Sequence, residues 1–226
     1  MTNEQVIEQI VSHIVSDIQD EVEKAVALHD YVKEKIKFGF SKYFDTPTDE
    51  YTLSYGFGQC TPKSHLLVSL FRAAGFESYQ HLVTLSKQIM FGIIPANRYW
   101  MISEEVSHSF VDVKVAGNWC SFDSHVIDTP LYNGAMTRLA NERRKIGYGI
   151  HSDSVNSWNG QGNAFGQYKA EYSSEDHGRI LDLPSYFKSE QYQNKFLGVT
   201  FNALFKILGE FNATDINNNI DKLRKE

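Results

Sequence analysis

The chain has 226 residues, of which 42% are hydrophobic and 22% are charged, a composition typical of a globular protein with a substantial core. Its formal net charge of −6 argues against a nucleic-acid-binding protein, because such proteins carry a clustered basic surface. The N-terminal residues lack a secretory signal, and no stretch approaches the roughly 20 apolar residues of a membrane-spanning helix. We therefore expect a cytoplasmic protein with no nucleic-acid or membrane partner, and the oligomeric state stays open.

The first third of the chain is predicted to be mainly helical. Apolar residues recur every three or four positions over residues 3–18 and again over 20–38, which predicts two amphipathic helices. Residues 39–58 are rich in aromatic residues and turn formers and predict a loop. A third helix is expected over 62–74, ending at Gly75.

Strands follow these helices. Alternating patterns predict strands over 78–86, 107–115 and 119–123, and Gly117-Asn118 supplies the turn between the last two. Residues 87–106 form a long excursion between strands, which in a compact domain is usually functional or mobile. This excursion and the Gly-, Ser- and Asn-rich loop 147–167 are both candidate lids over a cleft, and the sequence leaves open whether they close over it.

The C-terminal part is predicted to return to helices, over residues 134–146, 190–211 and 215–224. No internal repeat and no linker divides the chain. Residues 1–226 are therefore expected to form a single domain.

Cys60 is the first residue to suggest chemistry. It follows two closely spaced glycines and precedes a helix with Pro62 in its first turn. At a helix start, unpaired backbone N–H groups and the positive end of the helix dipole favour an anion and hence the nucleophilic thiolate. From this stretch alone, Cys60 is equally well explained as a small buried residue under a glycine turn.

His108 and Asp123 would supply the other groups that a catalytic thiol needs, a base and a residue that orients the base. They lie at the start and the end of the predicted hairpin, so its two strands can bring the imidazole and the carboxylate side by side. Each residue alone is more simply structural, since a strand histidine is often buried and hydrogen-bonded and an aspartate often forms turns. Together with Cys60 they predict a catalytic triad.

Further residues are assigned around this triad. The backbone N–H of Cys60 is the expected donor to a substrate oxyanion, Tyr55 or Gln59 is expected to add a second donor, and Trp100 is expected to contact substrate. Cys120 is interpreted as a small core residue, and two cysteines are too few for a disulfide framework. The remaining histidines show no zinc-ligand spacing, so no metal and no cofactor is expected.

Three separated motifs between about residues 20 and 128 resemble the transglutaminase-like superfamily. They are the helix at 23–32, Gly58-Gln59-Cys60 with the helix that ends at Gly75, and the hairpin from His108 through Gly117-Asn118-Trp119 to Asp123. The residues after His108 and after Gly75 depart from the family's usual pattern, which leaves the substrate preference open.

The resemblance implies an α+β fold with a papain-like core, in which N-terminal helices and the Cys60 helix pack on an antiparallel sheet. It implies a catalytic core over residues 19–131, with 132–226 as a C-terminal extension packed on it. Cys60 would be the nucleophile, His108 the general base and then acid, and Asp123 the residue that orients the imidazole. The expected function is that of a cysteine protease or amidohydrolase acting on a peptide, a protein or a small amide through a thioester. Transfer of the acyl group to an amine, as in a transglutaminase, and a non-catalytic binding module are the alternatives.

Overall fold

The computed structural model describes residues 2–208 and 210–226. Its α-helices are α1 (Asn3–Val15), α2 (Glu21–Lys35), α3 (Asp49–Tyr55), α4 (Cys60–Ala73), α5 (Thr129–Glu142), α6 (Leu183–Tyr186), α7 (Phe201–Leu208) and α8 (Glu210–Leu223). Its strands are β1 (Lys37–Phe38), β2 (Phe57–Gly58), β3 (Ser78–Ser86), β4 (Glu105–Val115), β5 (Asn118–Phe122), β6 (Ile146–Gly147), β7 (Ile150–His151), β8 (Asp176–Ile180), β9 (Lys195–Phe196) and β10 (Val199–Thr200). Short 3₁₀ helices occupy Lys87–Met90, Tyr99–Met101 and Ala170–Tyr172.

The central sheet has four antiparallel strands in the order β5-β4-β3-β8. Val83 on β3 pairs with His108 on β4, and Val111 on β4 pairs with Phe122 on β5. The strand predicted over 78–86 is confirmed, and the β4–β5 hairpin forms where the alternation predicted it. Asp123 directly follows β5 and therefore lies at the end of the hairpin.

The first hydrophobic core lies between this sheet and the N-terminal helices. Leu28 of α2 and Leu66 and Phe71 of α4 pack with Val111 and Phe122 of the hairpin, and all five are buried. Cys120 belongs to the same core and is only 1% exposed, as its interpretation as a core residue requires. The mixed α and β architecture predicted from the sequence is thus the observed one.

A second core joins the loop after β1 to the C-terminal half. Phe40 and Phe44 pack there with Ile93, Leu131 of α5 and Ile220 of α8. Ile93 is fully buried, so the 87–106 excursion is attached to the body of the protein through this core. The aromatic loop at 39–58 also contains the α3 helix and ends in β2, which pairs in parallel with β1, and the sequence pattern predicted neither feature.

The helix predicted over 190–211 is wrong in its first half. Residues 195–200 form a β9–β10 hairpin, in which Leu197 and Gly198 both adopt positive φ angles of 48° and 81°. Such a turn suits the twist of paired strands and stops a helix, so the helix begins only at Phe201. Gly209, which falls within the predicted helix, lies outside the described residues.

The other C-terminal helices differ from the prediction mainly in their ends. α5 begins at Thr129 rather than at residue 134, because the Asp128 side chain accepts a hydrogen bond from the Leu131 N–H and caps the helix. It ends at Glu142, since Arg143 has a left-handed backbone with a φ of 53°. In residues 2–208 and 210–226, every helix is too short or too polar to cross a membrane.

Candidate active site

Cys60 occupies the first position of α4, directly after the short parallel pair β1–β2. Gly56 ends α3 in a left-handed conformation with a φ of 74°, and a Cβ on Gly58 would lie only 3.0 Å from the Pro62 ring. The two glycines therefore allow a sharp turn and a close approach to the first turn of α4. This geometry presents the Cys60 side chain at the positive end of a 14-residue helix.

His108 lies against both of the other predicted triad residues. Its Nε2 atom is 2.8 Å from Oδ2 of Asp123, and the His108 side chain is almost completely buried. Its imidazole also interacts with the Cys60 thiol. Because Nε2 faces the carboxylate, Nδ1 is the ring nitrogen left for the thiol.

Asp123 is held by the backbone of a distant segment. Its Oδ1 accepts the N–H groups of Gly166 and Gln167 at 2.5 and 3.0 Å, and its Oδ2 accepts that of Tyr168 at 2.7 Å. The carboxylate is fully buried, and burial alone would raise its pKa. The bonds to His108 and to the backbone outweigh burial and lower the pKa of Asp123, so it remains a carboxylate facing the imidazole.

The charge on His108 is stabilised by its two neighbours. Burial by itself would lower the pKa of this imidazole. The negative charge of Cys60 and the hydrogen bond to Asp123 outweigh burial and raise the pKa of His108 to about 10. The arrangement therefore favours a charged imidazolium, placed between Cys60 and the Asp123 carboxylate, at neutral pH.

Cys60 lines a cavity. Its polar lining includes His108, Gln59, Asp45, Ser107, Gln167 and Asn194. Most of its remaining lining is apolar and comes from the loop after β1, the 85–106 region and helices α7 and α8. The thiol thus meets a space where a substrate can bind.

Gln59 lies in this lining, with its side chain anchored by a buried carboxylate. Its Nε2 donates to Oδ1 of Asp45 at 2.7 Å, and its Oε1 has no hydrogen-bond partner. Asp45 also accepts from the Tyr192 hydroxyl at 2.6 Å and from Nδ2 of Asn194 at 2.9 Å. One hydrogen of the Gln59 amide is therefore committed to Asp45, and its second remains for another acceptor.

The structure does not bring Tyr55 and Trp100 into the cavity lining. Tyr55 stacks on Tyr51 and contacts Phe57 with its ring, in an aromatic group formed by α3 and β2. Trp100 is 69% exposed, and its indole donates to the Asn97 carbonyl oxygen. Of the three residues expected to bind substrate or the oxyanion, only Gln59 lines the cavity.

Sequence reasoning did not identify Asp45, Ser107, Gln167 or Asn194 as parts of this site. Ser107 directly precedes His108 on β4, whereas Asp45, Gln167 and Asn194 are common polar residues with no motif around them and reach the site through long-range folding. The segment 166–168, whose backbone N–H groups bind Asp123, likewise has no recognisable sequence motif and stands out only by its turn-rich composition. Within the part of the chain that the structure describes, no group of three or more His, Cys, Asp or Glu side chains could hold a metal ion.

Comparison with known proteins places the chain in a family. The model of the transglutaminase-like superfamily matches residues 8–124, just over half of the chain and including Cys60, His108 and Asp123. No curated protein matches significantly.

Two solved structures are similar to parts of the chain. One is a "Putative Cysteine Protease from Cytophaga hutchinsonii", with 14% identity over 55% of this chain and a TM-score of 0.42. The other is a "putative protease from Parabacteroides distasonis", with 12% identity over 53% of this chain and a TM-score of 0.38. The matches cover only 38% and 23% of those two proteins. On the family match, the chain belongs to the transglutaminase-like superfamily.

Proposed function

We propose that this protein is a thiol-dependent acyl-transfer enzyme that hydrolyses an amide, peptide or isopeptide bond through a thioester on Cys60. The observation that supports it most is the position of His108, which interacts with the Cys60 thiol and bonds to the buried Asp123 carboxylate. A base between a nucleophile and an orienting carboxylate is the arrangement that covalent acyl transfer requires.

The first half of the reaction uses the charged pair. The Cys60 thiolate attacks the substrate carbonyl carbon, and the carbonyl electrons move to its oxygen. As the tetrahedral intermediate collapses, the C–N bond breaks and the His108 imidazolium gives its proton to the departing nitrogen. The products are a free amine and a thioester on Cys60.

In the second half, His108 acts as a base. The neutral imidazole takes a proton from water while the water oxygen attacks the thioester carbonyl. The C–S bond then breaks, the carboxylic acid leaves, and the thiolate and imidazolium are restored. An amine in place of water would give a new amide, which is the transglutaminase alternative.

The oxyanion of both intermediates needs donors near the thiol. The first N–H groups of α4, beginning with that of Cys60, have no acceptor within their own helix and point from its positive end. The second amide hydrogen of Gln59 is the side-chain candidate, since Asp45 fixes the first. We assign these two donors to the oxyanion.

The test is a direct search for the thioester. The protein is mixed with a library of peptide and N-acyl amides, and the mass of the intact chain and the release of amine are followed, with and without an added primary amine. The expected result is amine release with a transient acyl adduct on Cys60, and neither in Cys60→Ala. Absence of both signals in the unmodified protein, with Cys60→Ala binding the same compounds equally well, would instead support the binding module.

A further inference from the structure

Two cavities share Asp45 in their lining. The one that Cys60 lines measures about 120 Å³, below the roughly 300–1,000 Å³ of a typical ligand pocket, whereas the second cavity measures about 790 Å³. Most of a peptide substrate must therefore lie outside the catalytic cavity. We infer that the second cavity binds a part of the substrate that carries a carboxylate, so that the substrate is an acidic peptide. This inference rests on the proposed function and names the substrate class of the same site.

The second cavity adjoins the catalytic one at several points of the chain. Asp45 lines both cavities, and of two consecutive residues Asn194 lines the catalytic cavity and Lys195 the second one. Pro62 also lines the second cavity and lies two residues after Cys60 in α4, less than one helical turn away. A peptide whose scissile carbonyl lies at the thiol therefore has the second cavity within the reach of a few residues.

Two lysines give the second cavity positive charge. Lys188 is exposed, lines the cavity and forms no ion pair within residues 2–208 and 210–226. Lys195 donates through Nζ to the carbonyl oxygen of Ser189 at 3.1 Å, so its ammonium lies beside the residue that follows Lys188. An ammonium has three hydrogens to donate, and this bond uses one of them. Both lysines therefore keep hydrogens for a carboxylate.

The two carboxylates in the same lining are occupied by partners within the protein. Asp45 and Asp49 are only 4% and 3% exposed. Asp45 accepts hydrogen bonds from three side chains. Oδ1 of Asp49 lies 2.7 Å from Nδ1 of His65, and its Oδ2 accepts from the Ser69 hydroxyl at 2.6 Å. The lysine ammonium groups are thus the charges left for a ligand, and their preferred partner is an anion.

The rest of the wall suits a peptide better than an inorganic anion. Leu183, Pro184 and Phe187 add apolar surface to it. Asn202 accepts the Asp45 N–H through Oδ1 at 2.9 Å, which leaves the Nδ2 end of its amide for a peptide carbonyl oxygen. A peptide with an acidic side chain can use all three kinds of contact, whereas an inorganic anion uses only the charge.

The first experiment compares acidic and neutral substrates of equal size. Internally quenched peptide libraries are random apart from one position, which is held as aspartate or as asparagine and is moved along the peptide. At one position kcat/KM should be about tenfold higher with aspartate, as expected for hydrogen bonds to a charged group. Equal kcat/KM at every position, in an enzyme that hydrolyses both libraries, would overturn the inference and leave the proposed function intact.

Charge-changing variants connect this preference to the second cavity. Lys188→Glu should abolish the preference for aspartate and create one for lysine at the same position, and Lys195→Gln should reduce it. Lys35→Glu is the matched control, because Lys35 is exposed on α2 outside the cavity and its substitution changes the net charge equally. A preference that survives both cavity variants, or that Lys35→Glu lowers as much as Lys188→Glu does, would contradict the assignment.

A binding experiment separates the inference from the chemistry. The Cys60→Ala protein is titrated with a fluorescein-labelled octapeptide of alternating alanine and aspartate, and with its alanine–asparagine counterpart. Tighter binding of the aspartate peptide, weakened about tenfold by Lys188→Glu but not by Lys35→Glu, supports the site even if the unmodified protein shows no turnover, in which case the proposed function alone fails. Equal binding of both peptides, or displacement of the aspartate peptide by micromolar inorganic phosphate, would refute an acidic peptide as the occupant.

Discussion

Nε2 of His108 lies 2.8 Å from Oδ2 of Asp123, and three consecutive backbone N–H groups, those of residues 166–168, also point at this carboxylate. The aspartate therefore has a fixed orientation as well as a fixed charge. A carboxylate held in this way fixes the ring orientation of the histidine and leaves its other nitrogen facing Cys60.

Replacing Asp123 with asparagine should remove most of the activity. The amide of the new asparagine would place its NH₂ group against hydrogen-bond donors, either the backbone N–H groups or the His108 ring. The ring would then lose both its fixed orientation and the negative charge that stabilises the imidazolium. In Ser-His-Asp enzymes the same change costs up to about 10⁴-fold in kcat, and we expect roughly 10²- to 10⁴-fold here. The loss is measured as the decrease in the rate of amide hydrolysis and in the rate of Cys60 alkylation.

Asp112 offers a matched control for that experiment. It is another buried aspartate of the sheet with a histidine partner, bonded through Oδ2 to His81 at 3.1 Å and to Arg179 at 2.7 Å, but it does not line the cavity. Asp112→Asn should lower thermal stability and leave kcat within about twofold. Equal losses of kcat in the two variants would show that Asp123 contributes only to stability.

The charge of His108 should persist far above neutral pH. Its pKa is raised to about 10, so the imidazolium should be lost only as the pH rises through that value, and hydrolysis should show an alkaline limb in the same range. Cys60→Ser should lower this pKa, because the Cys60 charge is the largest contribution that raises it. NMR titration of the His108 ring in both proteins measures the change; identical pKa values would contradict a thiolate–imidazolium pair.

The two cysteines should differ strongly in reactivity. Cys60 is partly exposed in the cavity, whereas Cys120 is 1% exposed in the first core, where burial raises the pKa of its thiol. Iodoacetamide at mildly acidic pH should therefore modify Cys60 alone, as peptide mapping by mass spectrometry would show. In Cys60→Ala, Cys120 should react only after unfolding. Slow and equal labelling of both cysteines in the unmodified protein would contradict the activated thiol.

The buried Asp45 should stabilise the region around the site. It accepts hydrogen bonds from Gln59 and from Tyr192 and Asn194, and so joins its own loop to two other segments. Asp45→Asn should reduce the free energy of unfolding by about 2 to 4 kcal/mol, because buried donors lose their acceptor. Urea denaturation measures the loss.

Tyr192→Phe tests whether this effect runs through the hydrogen bond itself. Alone it should cost about 1 kcal/mol, and combined with Asp45→Asn it should cost less than the sum, since the phenylalanine leaves no hydroxyl donor unpaired. Strictly additive losses would show that the two residues act independently.

The C-terminal helix should unfold together with the rest of the chain. Arg224 donates to both oxygens of Asp128 and to the Phe38 carbonyl oxygen, and it is largely buried. Arg224→Gln should lower the free energy of unfolding by about 3 kcal/mol in one transition, as expected for a single domain. The exposed pair between Arg138 and Glu226 is the control, and Arg138→Gln should leave the free energy of unfolding nearly unchanged. Two separate transitions in the unmodified protein would contradict the single domain.

The sequence was sufficient for the local parts of this protein. Period-two alternation located the β4–β5 hairpin, and helical periodicity located α1, α2 and α4, because each pattern depends only on which side of one element faces the core. The same reasoning failed at residues 190–200, where an apolar run suggested a helix but the positive φ angles of Leu197 and Gly198 form a hairpin turn. The spacing of apolar residues does not indicate which residues adopt the positive φ angles of a turn.

Cys60 shows most clearly which features follow from the sequence and which follow only from the tertiary structure. Its glycine turn and its place at a helix start follow from neighbouring residues, and the order of Cys60, His108 and Asp123 along the chain indicated the family. The three N–H groups on Asp123, the Asp45 anchor of Gln59 and the apolar cavity at the thiol were decided only by the tertiary structure. Each depends on residues that are 14 or more positions apart, and their meeting is fixed by packing of the chain rather than by any local pattern.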